Sequence, residues 1–378
     1  LYHLIFIVKI KIIMNICIVG DGITSLSLAK NLINKKINVH IYHKNKTENL
    51  SSSRTIGISK NNLRYFKKEI FNLPNKITWE IKKIEICSDK LKENRILNFE
   101  NDNNNLFYMV KNDQLYKSLN DKLLKSKFFK KIKIKQDTFY SKLFKKNNYD
   151  LIINCDQNNP ISKKYFIKKI NKDYINLAYT TILEHEEIQN NTAIQVFTNL
   201  GPIAFLPISK TKTSVVCSVD IKDKKFHDTE ILNLINKHNP KFIIKKTLKL
   251  SNFKLKSSNL RKYYHKNILA FGDLLHKIHP LAGQGFNMTI RDIKELSEII
   301  QNKIDLGLQL DSSILEEFQK KTKNKNFIFS CGIDFIYEFF NFNKEARKQN
   351  LNKFLKHLGT NRSFMKSIIR FADKGINI

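Results

Sequence analysis

Five cysteines, Cys17, Cys87, Cys155, Cys217 and Cys331, are scattered along the chain, and no two form a Cys-x-x-Cys pair. This excludes a disulfide framework and a cysteine zinc site, and it fits a reducing compartment. Arginine is also scarce: only 8 of the 67 basic residues are Arg. The guanidinium is the group suited to bidentate contact with phosphate and guanine, so nucleic-acid recognition is disfavoured in spite of a formal net charge of +33. Long apolar runs are missing too. The stretch before Lys9 in "LYHLIFIVKIKIIMNICIVG" is far too short to span a bilayer, and it lacks the basic start and small-residue cleavage site of a signal peptide. The last scarcity is of backbone-modifying residues, 11 Gly and 6 Pro in 378 residues, yet Gly272, Pro280, Gly283 and Gly285 all fall in "FGDLLHKIHPLAGQGFNMTIRD", residues 271–292.

A hydrophobic fraction of 42% with 11% aromatics is enough to build cores, so the chain reads as folded and globular. The lysines are spread along it, and the densest run, "KSKFFKKIKIK" (125–135), alternates like a strand with one solvated face. A lysine-rich surface is attracted to anionic lipid headgroups. Met14 stands immediately before an apolar run, which makes residues 1–13 an expected N-terminal extension outside the fold.

Order along the chain gives the architecture. "NICIV" (15–19), "GDGITS" (20–25), a helical pattern through Leu26, Leu28, Ala29, Leu32 and Ile33, then "INVHIY" (37–42) form one strand–turn–helix–strand unit. In such a unit the glycines allow a pyrophosphate to approach the helix N-terminus, and an acidic residue ending the second strand holds a ribose. Here Ser25 replaces the third glycine and His43 replaces the acid. Residues 77–100 alternate like strands, Asn112 and Asp113 introduce a helix over 113–125, and "YDLIINCD" (149–156) reads as a buried strand. "AIQVFTN", "GPIAFLPI" and "TSVVCSVD" read as an antiparallel meander. A helix is expected over 228–238, and beyond 286 the pattern is mostly helical.

The glycine-rich stretch at 271–292 now acquires a purpose. "NILAF" delivers the chain to a sheet end, where Gly272 turns and the Asp273 carboxylate can accept hydrogen bonds from cofactor hydroxyls. Pro280 stiffens a loop, Gly283 and Gly285 admit a flat ligand close to the backbone, and the helix beginning near Phe286 points its positive end at that ligand. A flavin suits this arrangement.

"GDLLHKIHPLAGQGFNMTIRD" resembles the signature of FAD-dependent aromatic-ring monooxygenases, and "HPLAGQGFNMTIRD" is most similar to their ubiquinone-biosynthesis hydroxylases. "ICIVGDGITSLSLAKNL", "SRTIGIS", "YMVKNDQLYKSL", "YDLIINCDQ", "FTNLGPIAFLPI" and "GIDFIYEFFNFN" resemble further segments of the family in the same order, so the resemblance extends over nearly all of 15–375. It implies an α/β fold: a Rossmann-like FAD-binding domain of the para-hydroxybenzoate hydroxylase type, interleaved with an antiparallel β substrate domain, and a helical C-terminus. The expected boundaries are 14–76, 107–169 and 262–305 for the FAD-binding domain, 77–106 and 170–261 for the substrate domain, and 306–378 for the C-terminal helical region.

The resemblance also implies roles. Gly20, Gly22 and Ser25 would line the pyrophosphate, His43 stands where the family's ribose acid stands, and Arg54 would lie near the flavin or the nicotinamide donor. Asn112 and Asp156 would face the cofactor. Gly272 and Asp273 would bind ribityl and pyrophosphate oxygens, while Pro280, Gly283, Gln284, Gly285, Asn287 and Met288 would border the isoalloxazine. Tyr179, Phe205 and Pro207 are substrate-pocket candidates. No catalytic side chain and no metal are expected. The implied reaction has NAD(P)H reduce FAD, O2 add to it as a C4a-hydroperoxide, and the distal oxygen pass to the ring of a polyprenyl-phenol in ubiquinone biosynthesis. The departures at His43 and Gln157 lie on the FAD side and leave a second reading open, a non-catalytic flavin-fold subunit scaffolding a quinone-biosynthesis complex. A cytoplasmic location is expected, with peripheral contact to the inner face of the membrane through the alternating apolar and basic residues 354–374.

Overall fold

A computed structural model describes residues 14–44, 54–88, 95–100, 105–145, 148–221, 226–239, 242–280, 283–342 and 361–375. The expected extension at 1–13 lies outside them. β1 (Asn15–Val19) is buried from Ile16 onward because it runs between two parallel neighbours and has no solvent face. Those neighbours are β2 (Asn38–His43) and β9 (Leu151–Asn154). With β8 (Phe129–Lys133), β16 (Tyr264–His265) and β17 (Ile268–Ala270) they make a six-stranded sheet in the order β16-β17-β9-β1-β2-β8. Only β16 runs antiparallel. The lysine-rich β8 forms one edge, where a solvated face costs nothing.

Helices cover this sheet. α1 (Ile23–Asn34), α3 (Asn112–Leu124) and α7 (Gly285–Asp305) place Leu26, Leu28, Leu115, Leu119, Ile293 and Leu296 in one core. α2 (Lys60–Tyr65), α4 (Thr138–Lys145) and α5 (Pro160–Tyr165) are short, and α5 begins on the Asn159 side chain, which accepts from Ser162 N at 2.9 Å.

The second sheet follows the order β18-β15-β10-β13-β12-β11-β5-β6, with β14 (Ile244–Thr247) also on β10. Its strands are β5 (Lys83–Ser88), β6 (Arg95–Glu100), β10 (Lys169–His185), β11 (Thr192–Phe197), β12 (Pro202–Ser209), β13 (Lys212–Asp220), β15 (Ser251–Leu260) and β18 (His276–Lys277). The expected meander is β11-β12-β13. One face of this sheet is closed by α6 (Asp228–Lys237) over Tyr179, Phe205, Val215 and Cys217. The other face meets a three-stranded sheet of β3 (Thr55–Ser59), β4 (Thr78–Ile81) and β7 (Phe107–Lys111) in the order β3-β7-β4, with Leu206 packed among Ile81, Met109 and Ala193.

β18 is two residues long, yet it matters. It carries the segment after β17, expected wholly within the cofactor domain, across to pair with β15 of the large sheet. The same segment therefore belongs to both sheets. α8 (Ser312–Phe342) runs along this junction, and α9 (Arg362–Lys374) returns onto α2 and β3, where Asp373 accepts from Asn61 N at 2.9 Å. Three apolar residues of the expected membrane-facing stripe pack inward here. Ile368 and Ile369 pack against the cluster of Ile96, Leu97 and Phe99, and Phe371 stacks on Phe329 at 4.8 Å. Leu355 and Leu358 lie outside the described residues. No helix among the described residues is long and apolar enough to cross a membrane.

Candidate active site

β2 and β8 lie to one side of β1, and β9 and β17 to the other, so the sheet changes winding direction between β1 and β9. Open α/β sheets bind ligands at the carboxyl ends of the strands at such a point. Gly20 (φ +103°) turns the chain there, its N–H donating to Tyr42 O at 2.8 Å, and a Cβ on it would stand 3.4 Å from Asp156 N. Gly272 (φ +62°) ends β17 in the left-handed region, and a Cβ there would come 2.6 Å from Thr24 Cγ2 in the first turn of α1. Bare backbone at 272 is what lets the two loops touch. Asp273 then projects into solvent, without a hydrogen bond or ion pair among the described residues. Beside it, the Cys155 thiol lies against Ser25 and senses the charges of Asp156 and Asp273.

Two helix starts are left open. Gly22 is the N-cap of α1 and Gln284 that of α7; neither helix has a side-chain cap, and neither has an acidic residue in its first turn. Their leading N–H groups and positive dipole ends are left for something else to satisfy. A Cβ on Gly22 or on Gly285 would meet nothing within 4 Å, so both helix starts border open space. Gln284 Oε1 is buried and has no hydrogen-bond partner among the described residues. These are the features of a site that expects an elongated, anionic, hydroxyl-bearing ligand.

The Pro280–Gly285 loop is held from behind. Gly283 N donates to Pro280 O at 3.1 Å, and Gly283 (φ +63°) backs onto Gly57 of β3. Asn287 locks this contact. Its Oδ1 accepts from Ser59 N at 2.9 Å and Asn62 Nδ2 at 3.0 Å, and its Nδ2 donates to Gly57 O at 2.9 Å. The polar atoms of Asn287, expected at the isoalloxazine border, are engaged within the protein, so it positions the loop. Met288 is fully buried with Ile278, Phe329 and Ile333, and it too is core.

Two histidines in the motif differ. His276 Nε2 and Asp292 Oδ2 lie 2.5 Å apart, both buried, and Asn326 Nδ2 donates to the other carboxylate oxygen at 2.9 Å. This ties β18 to α7 and α8. His279 stacks on Tyr337 at 4.2 Å and meets the edge of Tyr174 at 4.9 Å. Burial, aided by Lys172, lowers its pKa to about 3, so it is neutral at ordinary pH. Tyr174 donates to Asp334 of α8, and Asn176 Nδ2 donates to Tyr337 Oη at 2.8 Å. No group of three or more His, Cys, Asp or Glu among the described residues could hold a metal.

The other expected residues divide. Arg54 is exposed just before β3, and Asn112 is buried at the start of α3. Asp156 accepts from Asn158 N at 2.8 Å beside Gly20. Tyr179, Phe205 and Pro207 require correction as pocket candidates. Side chains alternate along a strand, and this register turns all three to the α6 face, where Tyr179 and Phe205 join its core and Tyr179 Oη reaches Phe226 O at 3.4 Å. The face toward β3 carries their neighbours, among them Ser214, whose Oγ accepts from Thr55 Oγ1 at 3.0 Å. The strands were legible in the sequence, but nothing in it said which face looked toward the glycine loops. Asp21, a site residue without a sequence signal of its own, completes the set. It sits between the two glycines and pairs with His43 Nδ1 at 3.7 Å and Lys131 Nζ at 3.3 Å.

The family model described as "FAD binding domain" matches residues 175–309. The ubiquinone biosynthesis monooxygenase COQ6, mitochondrial, of Dictyostelium discoideum is 25% identical over 279 residues, 60% of this chain and 56% of the relative. The 3-demethoxyubiquinol 3-hydroxylase of Escherichia coli K12 is 30% identical over 171 residues, 44% and 42% of the two. The chain thus spans about half the length of the curated relatives it matches. In fold it is similar to p-nitrophenol 4-monooxygenase PnpA from Pseudomonas putida, with a TM-score of 0.75 at 12% identity over 97% of this chain and 99% of that one. It is similar also to HpxO of Klebsiella pneumoniae, solved with FAD and uric acid, with a TM-score of 0.69 at 10% identity over 96% and 97%. In sequence the chain is thus similar to ubiquinone-biosynthesis hydroxylases, and in fold to solved monooxygenases.

Proposed function

We propose that this protein is an FAD-dependent monooxygenase that hydroxylates the aromatic ring of a polyprenyl-phenol in ubiquinone biosynthesis, with NAD(P)H as reductant and O2 as co-substrate. The carrying observation is that the first turn of the uncapped helix α1 touches the turn at Gly272, beside Asp273, whose carboxylate has no partner among the described residues, and that a second uncapped helix start, that of α7, borders open space. A dinucleotide fits these groups. Gly20 and Gly22 would admit the pyrophosphate to the N-terminus of α1, Asp273 would accept ribityl hydroxyls, and the 283–285 backbone would lie along the isoalloxazine.

When bound, FAD supplies the redox chemistry and the activation of oxygen. The protein's own part is positional and electrostatic. The α7 N-terminus would bring partial positive charge to a reduced ring held along the 283–285 backbone, and the bare Gly285 would let that ring come close. Asn287 fixes that backbone to β3, so the donors are held in place before the ring arrives. The neutral His279, between Tyr174 and Tyr337, holds the other end of the loop and brings no competing charge. Ser214 and Leu206 are on the sheet face turned toward β3 and β4, which makes that face the candidate wall for a phenol.

The test is direct. The purified protein should carry FAD released by denaturation, and stopped-flow absorbance should show the flavin reduced by NADH or NADPH. Hydroxylated product should form only with a polyprenyl-phenol present, and a deletion strain should accumulate the unhydroxylated quinone precursor. A flavin-loaded protein that neither donor reduces, with any phenol tried, would favour the scaffolding reading instead.

A further inference from the structure

We propose that Asp21, on the glycine loop, supplies the carboxylate that accepts the ribose hydroxyls of the adenosine half of FAD, in place of an acid at the end of β2; this rests on the FAD reading above. In a dinucleotide-binding strand–helix–strand unit the ribose acid ends the second strand. That position is His43 here, so the expected carboxylate is missing from the expected place. The fold puts another beside it. β1 and β2 pair in parallel with Val19 opposite Tyr42, and Gly20 N donates to Tyr42 O at 2.8 Å. The next side chain, Asp21, therefore hangs over the end of β2, between the sheet and the uncapped start of α1.

The carboxylate is held from three elements through one oxygen. Oδ2 lies 3.7 Å from His43 Nδ1 on β2 and 3.3 Å from Lys131 Nζ on β8, and accepts from Tyr116 Oη of α3 at 3.4 Å. Lys131 is itself oriented by Tyr116 Oη at 3.0 Å and Asn120 Oδ1 at 3.2 Å. Oδ1 has no partner among the described residues. A carboxylate offers about four lone-pair sites, and the arrangement fixes one oxygen while leaving the other to accept. The Lys131 ammonium beside it suits a neutral diol bound next to a pyrophosphate. His43 thus keeps a part in the ribose subsite by orienting Asp21.

The experiment titrates the full-length apoprotein with FAD, with FMN, which lacks the adenosine, and with an FAD analogue whose adenosine ribose lacks both the 2′ and 3′ hydroxyls, following flavin fluorescence. The parent should bind the dideoxy analogue more weakly than FAD by on the order of tenfold or more, since hydroxyl-to-carboxylate hydrogen bonds are lost. Asp21→Ala should weaken FAD to a similar degree, leave FMN within about twofold, and abolish the difference between FAD and the analogue. His43→Glu added to Asp21→Ala should restore FAD binding by returning the acid to the end of β2. A merely structural ion cluster predicts otherwise: FAD and FMN weaken together, the analogue is still discriminated, and His43→Glu rescues nothing. That result overturns the proposal, as does a parent that binds FAD and the dideoxy analogue equally, a comparison that needs no variant to fold. A parent that binds neither FAD nor FMN overturns the FAD reading and this proposal with it, and is distinguished from the other outcomes by the FMN arm.

Discussion

The two glycine loops, Gly20–Gly22 and Gly283–Gly285, sit at the starts of two uncapped helices, yet they are held in place differently. The first is fixed by its immediate surroundings: backbone pairing with β2, contact with β9, and the turn at Gly272. The second is fixed by side chains distant in sequence, with Asn287 reaching Gly57, Ser59 and Asn62, and α9 bracing the same strand through Asp373. A loop inside a parallel sheet inherits rigidity from the ladder. One at the junction of two sheets must be given it by buried polar networks, which are costly to leave incomplete.

The largest effects should come from breaking the second loop's supports. Asp292→Ala removes one partner of the buried His276 pair and takes the acceptor from Asn326 Nδ2 as well. It should lower stability by about 3–5 kcal/mol in urea unfolding. Asn287→Ala leaves the Ser59 N–H and Gly57 carbonyl without partners and should cost about 2–4 kcal/mol. The same variant should loosen the 280–285 loop, measurable as faster amide exchange there.

The first loop should respond to crowding. Gly272→Ala forces a left-handed residue against Thr24 and should cost about 2 kcal/mol, read as a lower urea midpoint. A pH scan sharpens the contrast, because His279 belongs only to the second loop. Its folded pKa is about 3 against an ordinary value of 6.5, so the unfolded chain binds its proton first on acidification. The stability it contributes is complete above 6.5 and is lost as pH falls through that window, by at most about 1.4 kcal/mol per pH unit. His279→Gln should flatten the slope between pH 6.5 and 3. The smallest effect on the fold is expected at Gly285, where a Cβ meets nothing. Gly285→Val should leave the circular dichroism spectrum and unfolding midpoint of the apoprotein nearly unchanged while slowing or abolishing flavin reduction, which isolates the loop's ligand-facing side.

Much of this molecule could be read from its residues alone. An unbroken apolar run such as "NICIV" suits only a buried parallel strand, and "GDGITS" after it leaves few conformations but a tight turn into a helix. Gathering four of the chain's few glycines and prolines at 271–292 marks a backbone that must come close to something. Other features depended on partners the sequence does not place together. Tyr179 and Phe205 look like pocket residues until the register turns them beneath α6, because a strand's alternation fixes two faces without saying which is covered by what. The apolar stripe of 354–374 has the pattern of a membrane-facing helix, but Ile368, Ile369 and Phe371 find their apolar surroundings within the protein. Asn287 is a small polar side chain in a motif until Gly57, Ser59 and Asn62 are brought to it, and Asp21 is one residue between two glycines until β2 and β8 deliver His43 and Lys131. Local steric and hydropathic constraints are written in consecutive residues, whereas hydrogen-bond satisfaction and charge pairing are properties of neighbours in space, and those only the tertiary fold decides.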